Sequence, residues 1–326
     1  MNVPPVEAVR VPPAALRQFV EAILSAVGME AEHARLLAHL LVTNDLRGVF
    51  SHGTRQVATY ARDLRAGALN PCPQIRVLDE TPTTFAVDGD GGLGYFAAWR
   101  ATHEIVDRAK TAGVVVAVTR NHGHIGAAGL YPRIPAAAGL LAYCTSGHQL
   151  HLQPGASYLQ AAGGSPMSFA LPTGTEPPFV LDFGTMHHLY EGEPHVAEIA
   201  AAAPGLVFRS VGLGAVCQAV GGFLAGVPAR PERARRRWSG ANQGAFLLAV
   251  DIARFMPLAQ FRREMDDYAR QVRQLRPLPG YDVALLPGEL EWRREQAWAQ
   301  EGVPVGRRHQ EILHDIGAEL GVAPPI

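Results

Sequence analysis

A chain of 326 residues that is 48% hydrophobic and 18% charged can bury a large core and has room for two or three domains, which excludes disordered and fibrous classes. Twenty-nine basic and thirty acidic side chains leave a net charge of −1, so the charge balance favours neither nucleic acid nor an anionic membrane as partner. Cys72, Cys144 and Cys217 are far apart, form no CxxC pair and cannot all pair within one chain, which points to a reducing compartment. No basic start precedes an apolar leader, and no stretch approaches the roughly eighteen uninterrupted apolar residues of a membrane span. A cytoplasmic protein is expected.

In chain order, Pro13 to Thr43 repeats apolar positions at three- and four-residue steps and predicts one amphipathic helix. Where that pattern ends, Asp45-Leu46-Arg47-Gly48-Val49-Phe50-Ser51-His52-Gly53-Thr54-Arg55 crowds charge, hydroxyl and imidazole into a turn between glycines. Arginine grips a carboxylate through parallel hydrogen bonds, and histidine exchanges protons near neutrality, so this turn can be an anion clamp beside a titratable group. Solvated arginines at a helix end are the plain alternative.

Val57 to Ala66 reads as a second helix, stopped by Gly67 and the Pro71 to Pro73 breaker. From Ile75 the composition turns to short β-rich runs, Ile75 to Leu78 and Thr83 to Val87, then a helix from about Tyr95 to Thr111 and a strand Val114 to Thr119. Gly89-Asp90-Gly91-Gly92-Leu93-Gly94 matches GxGxxG between strand and helix, but the next strand ends in Thr119-Arg120-Asn121 without a ribose-holding carboxylate. A tight turn is therefore the better reading.

Asn121 to Tyr131 places His122 and His124 among glycines ahead of a short helix, Ile134 to Gly139. Two histidines with no third ligand at matching spacing do not make a metal site, and His148, His151, His187 and His188 are scattered. Leu140 to Thr145, Ser168 to Leu171 and Phe179 to Asp182 are further short strands, as expected of an antiparallel or mixed sheet. Val211 to Gly226 predicts a buried helix and Gly244 to Asp251 a buried strand. The basic run Arg230 to Arg237, broken by Pro231, reads as a solvated loop or helix face. A helix over Leu258 to Arg276, a strand over Tyr281 to Leu286 and helices over Leu290 to Glu301 and Arg307 to Leu320 complete the chain.

Taken together, Asp45-Leu46-Arg47-Gly48 with Ser51-His52-Gly53 and Tyr60, Asp88-Gly89 with Gly94, His124 to Gly129, Pro166 to Pro172, Phe179 to Asp182, and Pro287-Gly288-Glu289 with Glu291 resemble the non-Rossmann malate/L-lactate dehydrogenase family. That family includes ureidoglycolate dehydrogenase, diketogulonate reductase, sulfolactate dehydrogenase and cyclic-imine reductases. The resemblance implies an α/β (α+β) fold: a helical part from both chain ends (1–72 and 257–326) and a largely antiparallel sheet domain (73–256) carrying the cleft. It also implies a homodimer, a small carboxylate substrate and NAD or NADP as cofactor. By residue, it gives His52, His124 and Asp182 catalytic roles, Arg47, Ser51, Arg55 and His148 substrate contacts, and Ser146, Ser165, Thr185 and Arg209 cofactor contacts, with no metal. An imidazolium would protonate the substrate as hydride reaches carbon, a carboxylate would hold the imidazole, and an arginine would fix the substrate carboxylate.

The departures from the family pattern are specific. Ser165-Pro166 and Thr145-Ser146 stand where the family has Asn-Pro and Thr-Asn, Gly192-Glu193 where it has Gly-Lys, and Arg209 to Leu213 where it has Lys-Gly-Tyr-Gly-Leu. Between those last two points only Pro194 to Phe208 remains of a longer segment. Two readings stay open: an NAD(P)-dependent oxidoreductase of small 2-oxo, 2-hydroxy or cyclic imino acids, and a cofactor-independent member using the histidines for acid–base chemistry as a lyase, isomerase or cyclase. A non-catalytic dimeric scaffold is a third.

Overall fold

The computed structural model describes residues 3–187, 189, 193 and 195–326. In chain order its elements are β1 (Ala8–Val11), α1 (Pro13–Ala26), α2 (Ala31–Leu46), α3 (Val57–Arg65), β2 (Arg76–Leu78), β3 (Thr84–Asp88), α4 (Gly94–Ala112), β4 (Val114–His122), α5 (Arg133–Ala137), β5 (Leu140–His148), β6 (Pro166–Leu171), β7 (Phe179–Gly184), α6 (Val196–Ala202), α7 (Pro204–Cys217), β8 (Gln243–Asp251), α8 (Leu258–Val272), α9 (Glu289–Glu301), β9 (Val303–Gly306) and α10 (Arg307–Leu320). They fall into two compact units, Met1–Pro73 with Gly288–Ile326, and Gln74–Pro287.

The first unit is helical and draws on both chain ends. α1 starts on Pro13, where the missing N–H is no loss, and buries Leu16, Phe19, Val20, Ile23 and Leu24, a stripe at helical spacing. The single helix expected over Pro13 to Thr43 is two, because Gly28 turns the chain at φ +82° between α1 and α2. The two ends are stitched by β1 and β9, an antiparallel pair that the sequence reading did not anticipate.

The second unit is built on a seven-stranded sheet in the order β2-β3-β4-β8-β5-β6-β7. Only β3 and β4 run parallel, joined through α4, and every other neighbouring pair is antiparallel. The expected α/β (α+β) class with a largely antiparallel sheet is what forms. The Gly89 to Gly94 turn is a tight turn: the amides of Gly89, Gly91 and Gly94 donate to the carbonyls of Arg120, Asn121 and His124, so none of them points at a phosphate.

Three expectations differ from the structure here. The boundary falls at Gly288 instead of residue 257, and α8 belongs to the sheet unit. Asp266 on α8 accepts the backbone N–H groups of Gly174, Thr175 and Glu176 at 2.8, 2.9 and 3.3 Å, and Arg270 and Arg273 pair with Glu176, which ties the helix to the β6–β7 connection. The strand expected over Tyr281 to Leu286 is irregular chain, since it finds no partner strand between the prolines at 277, 279 and 287. The helix expected over Val211 to Gly226 begins earlier, at Pro204, and passes into a π-turn over Gln218–Phe223.

By length and composition alone Pro204–Phe223 could cross a membrane. One side of it is packed inside the unit: a Cβ on Gly214 would meet Ala162 and Ser165, and one on Gly221 would meet the Ser146 backbone, while Leu206, Phe208, Leu213 and Val216 lie on the surface. Close backbone contact of this kind is how a core helix sits on a sheet.

Candidate active site

α2 ends at Leu46 and two short 3₁₀ turns, Phe50–His52 and Thr54–Gln56, lead into α3. Two side-chain amides hold this segment: Asn44 Nδ2 donates to the His52 carbonyl at 2.8 Å and Gln56 Nε2 to the Ser51 carbonyl at 2.6 Å. Ser51 Oγ lies 2.8 Å from His52 Nδ1, so the hydroxyl orients the ring. Burial pushes the His52 pKa below its ordinary 6.5, and the charge of Arg55 acts in the same direction. His52 is therefore neutral at pH 7, the form able to accept a proton.

Beneath the turn lies a network that the sequence reading did not single out. Asp45 is fully buried and accepts the Thr54 N–H at 2.9 Å and the Thr54 hydroxyl at 2.6 Å. That hydroxyl also contacts His309 Nε2 at 2.9 Å, and since its one proton goes to Asp45, His309 is the donor there. Burial raises the Asp45 carboxyl to about 7, despite opposing hydrogen bonds from Thr54, and lowers His309 to about 4. Gly53 is required at its position, because a Cβ there would stand 1.7 Å from Asp45 Oδ1.

Of the two arginines expected to hold substrate, Arg47 is already occupied. Its guanidinium donates to both Glu295 carboxylate oxygens at 2.9 and 3.2 Å, an ion pair within the helical unit. Arg55 forms no ion pair among the described residues, and its charge reaches His52, His309 and Asp45. Within this unit the fold thus groups Ser51, His52 and Arg55 and sets Arg47 aside.

In the sheet unit, β4 ends on His122, which is buried with Nε2 2.7 Å from the Thr119 hydroxyl and Nδ1 2.7 Å from the Gly123 carbonyl. Both ring nitrogens are occupied, so His122 and His124 cannot chelate together. Among the described residues no group of three or more histidine, cysteine or acidic side chains could hold a metal. His124 follows, with its ring edge-on to Tyr95 at 6.5 Å between centroids. The loop then passes Asp182 so closely that a Cβ on Gly129 would lie 2.5 Å from Oδ2. Asp182 of β7 is exposed, in register with Ser168 of β6, which faces Cys144 of β5. The structure therefore brings the His124–Gly129 loop and Asp182 together.

His148 ends β5 in register with Gln243, which also pairs with His122. It lines a cavity of about 600 Å³ with His151, Gln160, Leu159, Met186 and Leu189. Both sides of its backbone are held by Gln218, whose Oε1 accepts the His148 N–H and whose Nε2 donates to the His148 carbonyl.

A nicotinamide dinucleotide needs room for flat rings and donors for charged phosphates. Of the four positions expected to meet it, Ser146 is buried where Gly221 packs on its backbone, and the Ser165 hydroxyl donates to the Ala162 carbonyl at 2.6 Å while Gly214 packs over it. The other two fit. The Thr185 hydroxyl is buried with no partner among the described residues, a donor awaiting an acceptor, and Arg209 stands exposed on α7 without an ion pair there. Gly192, where the shortened segment begins, and His188 lie outside the described residues.

Comparison with known proteins agrees with this geometry. The sequence profile of the malate/L-lactate dehydrogenase family matches residues 11–191 and 190–314, and the chain belongs to that family. Malate dehydrogenase of Pyrococcus horikoshii is 26% identical, with 96% of each chain covered, and ureidoglycolate dehydrogenase (NAD(+)) of Escherichia coli O157:H7 is 25% identical, with 92% of each covered. A solved structure of malate dehydrogenase from Pyrococcus horikoshii OT3 superposes with a TM-score of 0.81 at 25% identity, covering 99% of this chain and 98% of that one. The first alignment runs over 347 positions, more than the 326 residues here, so that relative has residues without counterparts in this chain. The family match itself is interrupted at 190–191, beside the segment whose shortening the sequence suggested.

Proposed function

We propose that the protein is an oxidoreductase that moves hydride between a nicotinamide cofactor and a small 2-oxo or 2-hydroxy acid or a cyclic imino acid. The observation that carries this reading is the Ser51–His52 pair beside Arg55, a cation with no ion pair among the described residues, in a stretch that the family match includes. Both relatives above are named as dehydrogenases, one of them with NAD(+) in its name. The cofactor supplies or accepts the hydride when bound. Thr185 and Arg209 are the residues that would hold it, together with donors around the His148 cavity.

The chain's own residues do the rest. Arg55 grips the substrate carboxylate by charge-assisted hydrogen bonds and so fixes which carbon faces the hydride. Ser51 orients the His52 ring through Nδ1, and the imidazole exchanges the proton of the substrate oxygen or nitrogen. In the oxidation direction neutral His52 removes the hydroxyl or amine proton, and in reduction the same ring, protonated, returns it.

The test is a spectrophotometric panel of NADH and NADPH against 2-oxo and cyclic imino acids. Consumption of one reduced cofactor with at least one acid, lost in His52→Ala, supports the proposal. No turnover with either cofactor on any acid refutes it. A second reading is favoured by one observation: Ser146 and Ser165 are buried, and the Ser165 hydroxyl is already committed to the Ala162 carbonyl. On that reading the same histidines perform acid–base chemistry without a reductant, and turnover of an acid in cofactor-free buffer would establish it.

A further inference from the structure

The basic run Arg230 to Arg237 is more than a solvated loop. Its last residues, with Arg120 at the end of β4, line a cavity of about 370 Å³ in the sheet unit. Arg120, Arg235, Arg236 and Arg237 line it beside one carboxylate, Asp90, and Arg120 also pairs with Asp79 at 3.5 Å. Asp90 is itself engaged, accepting the Gln74 backbone N–H at 3.0 Å.

Two of the arginines are held in place by other parts of the fold. Trp238 packs directly on the Gly91 backbone, where a Cβ would come 2.0 Å from the indole, and the Arg237 guanidinium stacks over that indole at 5.1 Å. Arg236 donates at 2.7 Å to Oε1 of the buried Gln149, whose own amide donates to the Pro228 carbonyl at 2.7 Å. Burial holds the Arg236 guanidinium below its ordinary value, a cost that a bound anion would relieve. A flexible arginine loses side-chain freedom whenever it grips a ligand, and here much of that ordering precedes binding. The space exceeds what one carboxylate fills, and the charge suits a group carrying more than one negative charge.

We propose that this cavity binds a diphosphate group, with Arg236 and Arg237 as its fixed donors and Arg120 and Arg235 closing around it. Such a group could belong to a dinucleotide or to a free nucleoside diphosphate, and either source satisfies the chemistry. The site is carried by the sheet unit alone and stands apart from the catalytic reading of His52.

The experiment is isothermal titration of the full chain with inorganic pyrophosphate, ADP, NADH and NADPH, each at low and high salt, for wild type, Arg237→Gln and Arg236→Gln/Arg237→Gln, with circular dichroism to check folding. Pyrophosphate and ADP should bind the wild type more weakly as salt rises. Arg237→Gln should raise their dissociation constants about ten- to a hundredfold, as expected for one charge-assisted hydrogen bond, and the double variant further. If NADH or NADPH weakens in parallel, the diphosphate is the dinucleotide's, and if they bind unchanged the pocket serves a free nucleotide. No binding of pyrophosphate or ADP by the wild type at millimolar concentration, or unchanged binding in the folded single and double variants, overturns the proposal. Because pyrophosphate takes part in no redox step, failure here leaves the oxidoreductase proposal untouched, and failure of that one leaves this site intact.

Discussion

Arg47 and Glu295, 248 residues apart in the chain, form a two-pronged ion pair between the end of α2 and α9, with both side chains mostly shielded from water. Removing one partner leaves the other charge half-buried and unpaired, which costs about 1–3 kcal/mol. Arg47→Ala should therefore lower the unfolding free energy by that amount with little change in KM. Arg55→Gln should do the reverse, leaving stability nearly unchanged and raising KM for a carboxylate substrate about ten- to a hundredfold. Denaturant melts and steady-state kinetics on the two variants check the division.

His52 gives a pH signature. Its pKa lies below 6.5 because of burial first and Arg55 second, so the base-catalysed oxidation should fall off only as pH drops below that value. Removing the positive neighbour raises an imidazole pKa, so Arg55→Gln should move this acidic limb upward. His52→Ala should remove the limb and lower kcat/KM by about a hundred- to ten-thousandfold, with an unchanged circular dichroism spectrum. Profiles of kcat/KM against pH for the three proteins would decide it, and an unshifted limb in Arg55→Gln would detach the two residues.

The Asp45 carboxyl titrates at about 7 in the folded protein against an ordinary 3.8, chiefly because it is buried. Over that interval the folded state holds a proton that the unfolded chain has released. Stability from this group is accordingly full below about 4, lost as pH rises toward 7 at up to about 1.4 kcal/mol per pH unit, and flat above. Asp45→Asn should flatten that slope. Melting temperatures between pH 4 and pH 7 compare the two proteins, and parallel curves would show that Asp45 is not the titrating group.

How much of this site could be read in advance follows from distance along the chain. The turn Ser51 to Arg55 was legible because its charged and hydroxyl groups lie side by side in sequence. Its support was not: Thr54 looks like any turn residue, and His309 reaches it from 255 residues away. Glu295 is likewise invisible beside Arg47 until α9 is placed, so Arg47 read as a free clamp. The sheet strands were legible from their β-branched runs, whereas Tyr281 to Leu286 shares that composition and fails only because no strand lies beside it. Gly28 was a local signal for the break between α1 and α2, outweighed by the apolar repeat on either side.

A homodimer, which the family resemblance implies, is also expected from the surface of α7. α7 exposes Leu206, Phe208, Leu213 and Val216, an apolar face that a second copy of the chain would cover. Sedimentation should give twice the 35.0 kDa chain mass, and Phe208→Glu with Leu213→Glu should shift it toward the monomer. A wild-type monomer across micromolar concentrations would refute this.

The most direct test of the central claim follows an atom. Reduced nicotinamide carrying deuterium at its transferable position is incubated with the protein and an acid that it turns over, and the product is examined by mass spectrometry. Hydride transfer at the His52–Arg55 site predicts one deuterium on the carbon that bore the oxo or imino group, absent from His52→Ala reactions run for the same time. Product formed at full rate without reductant, and without label when labelled reductant is present, would contradict it.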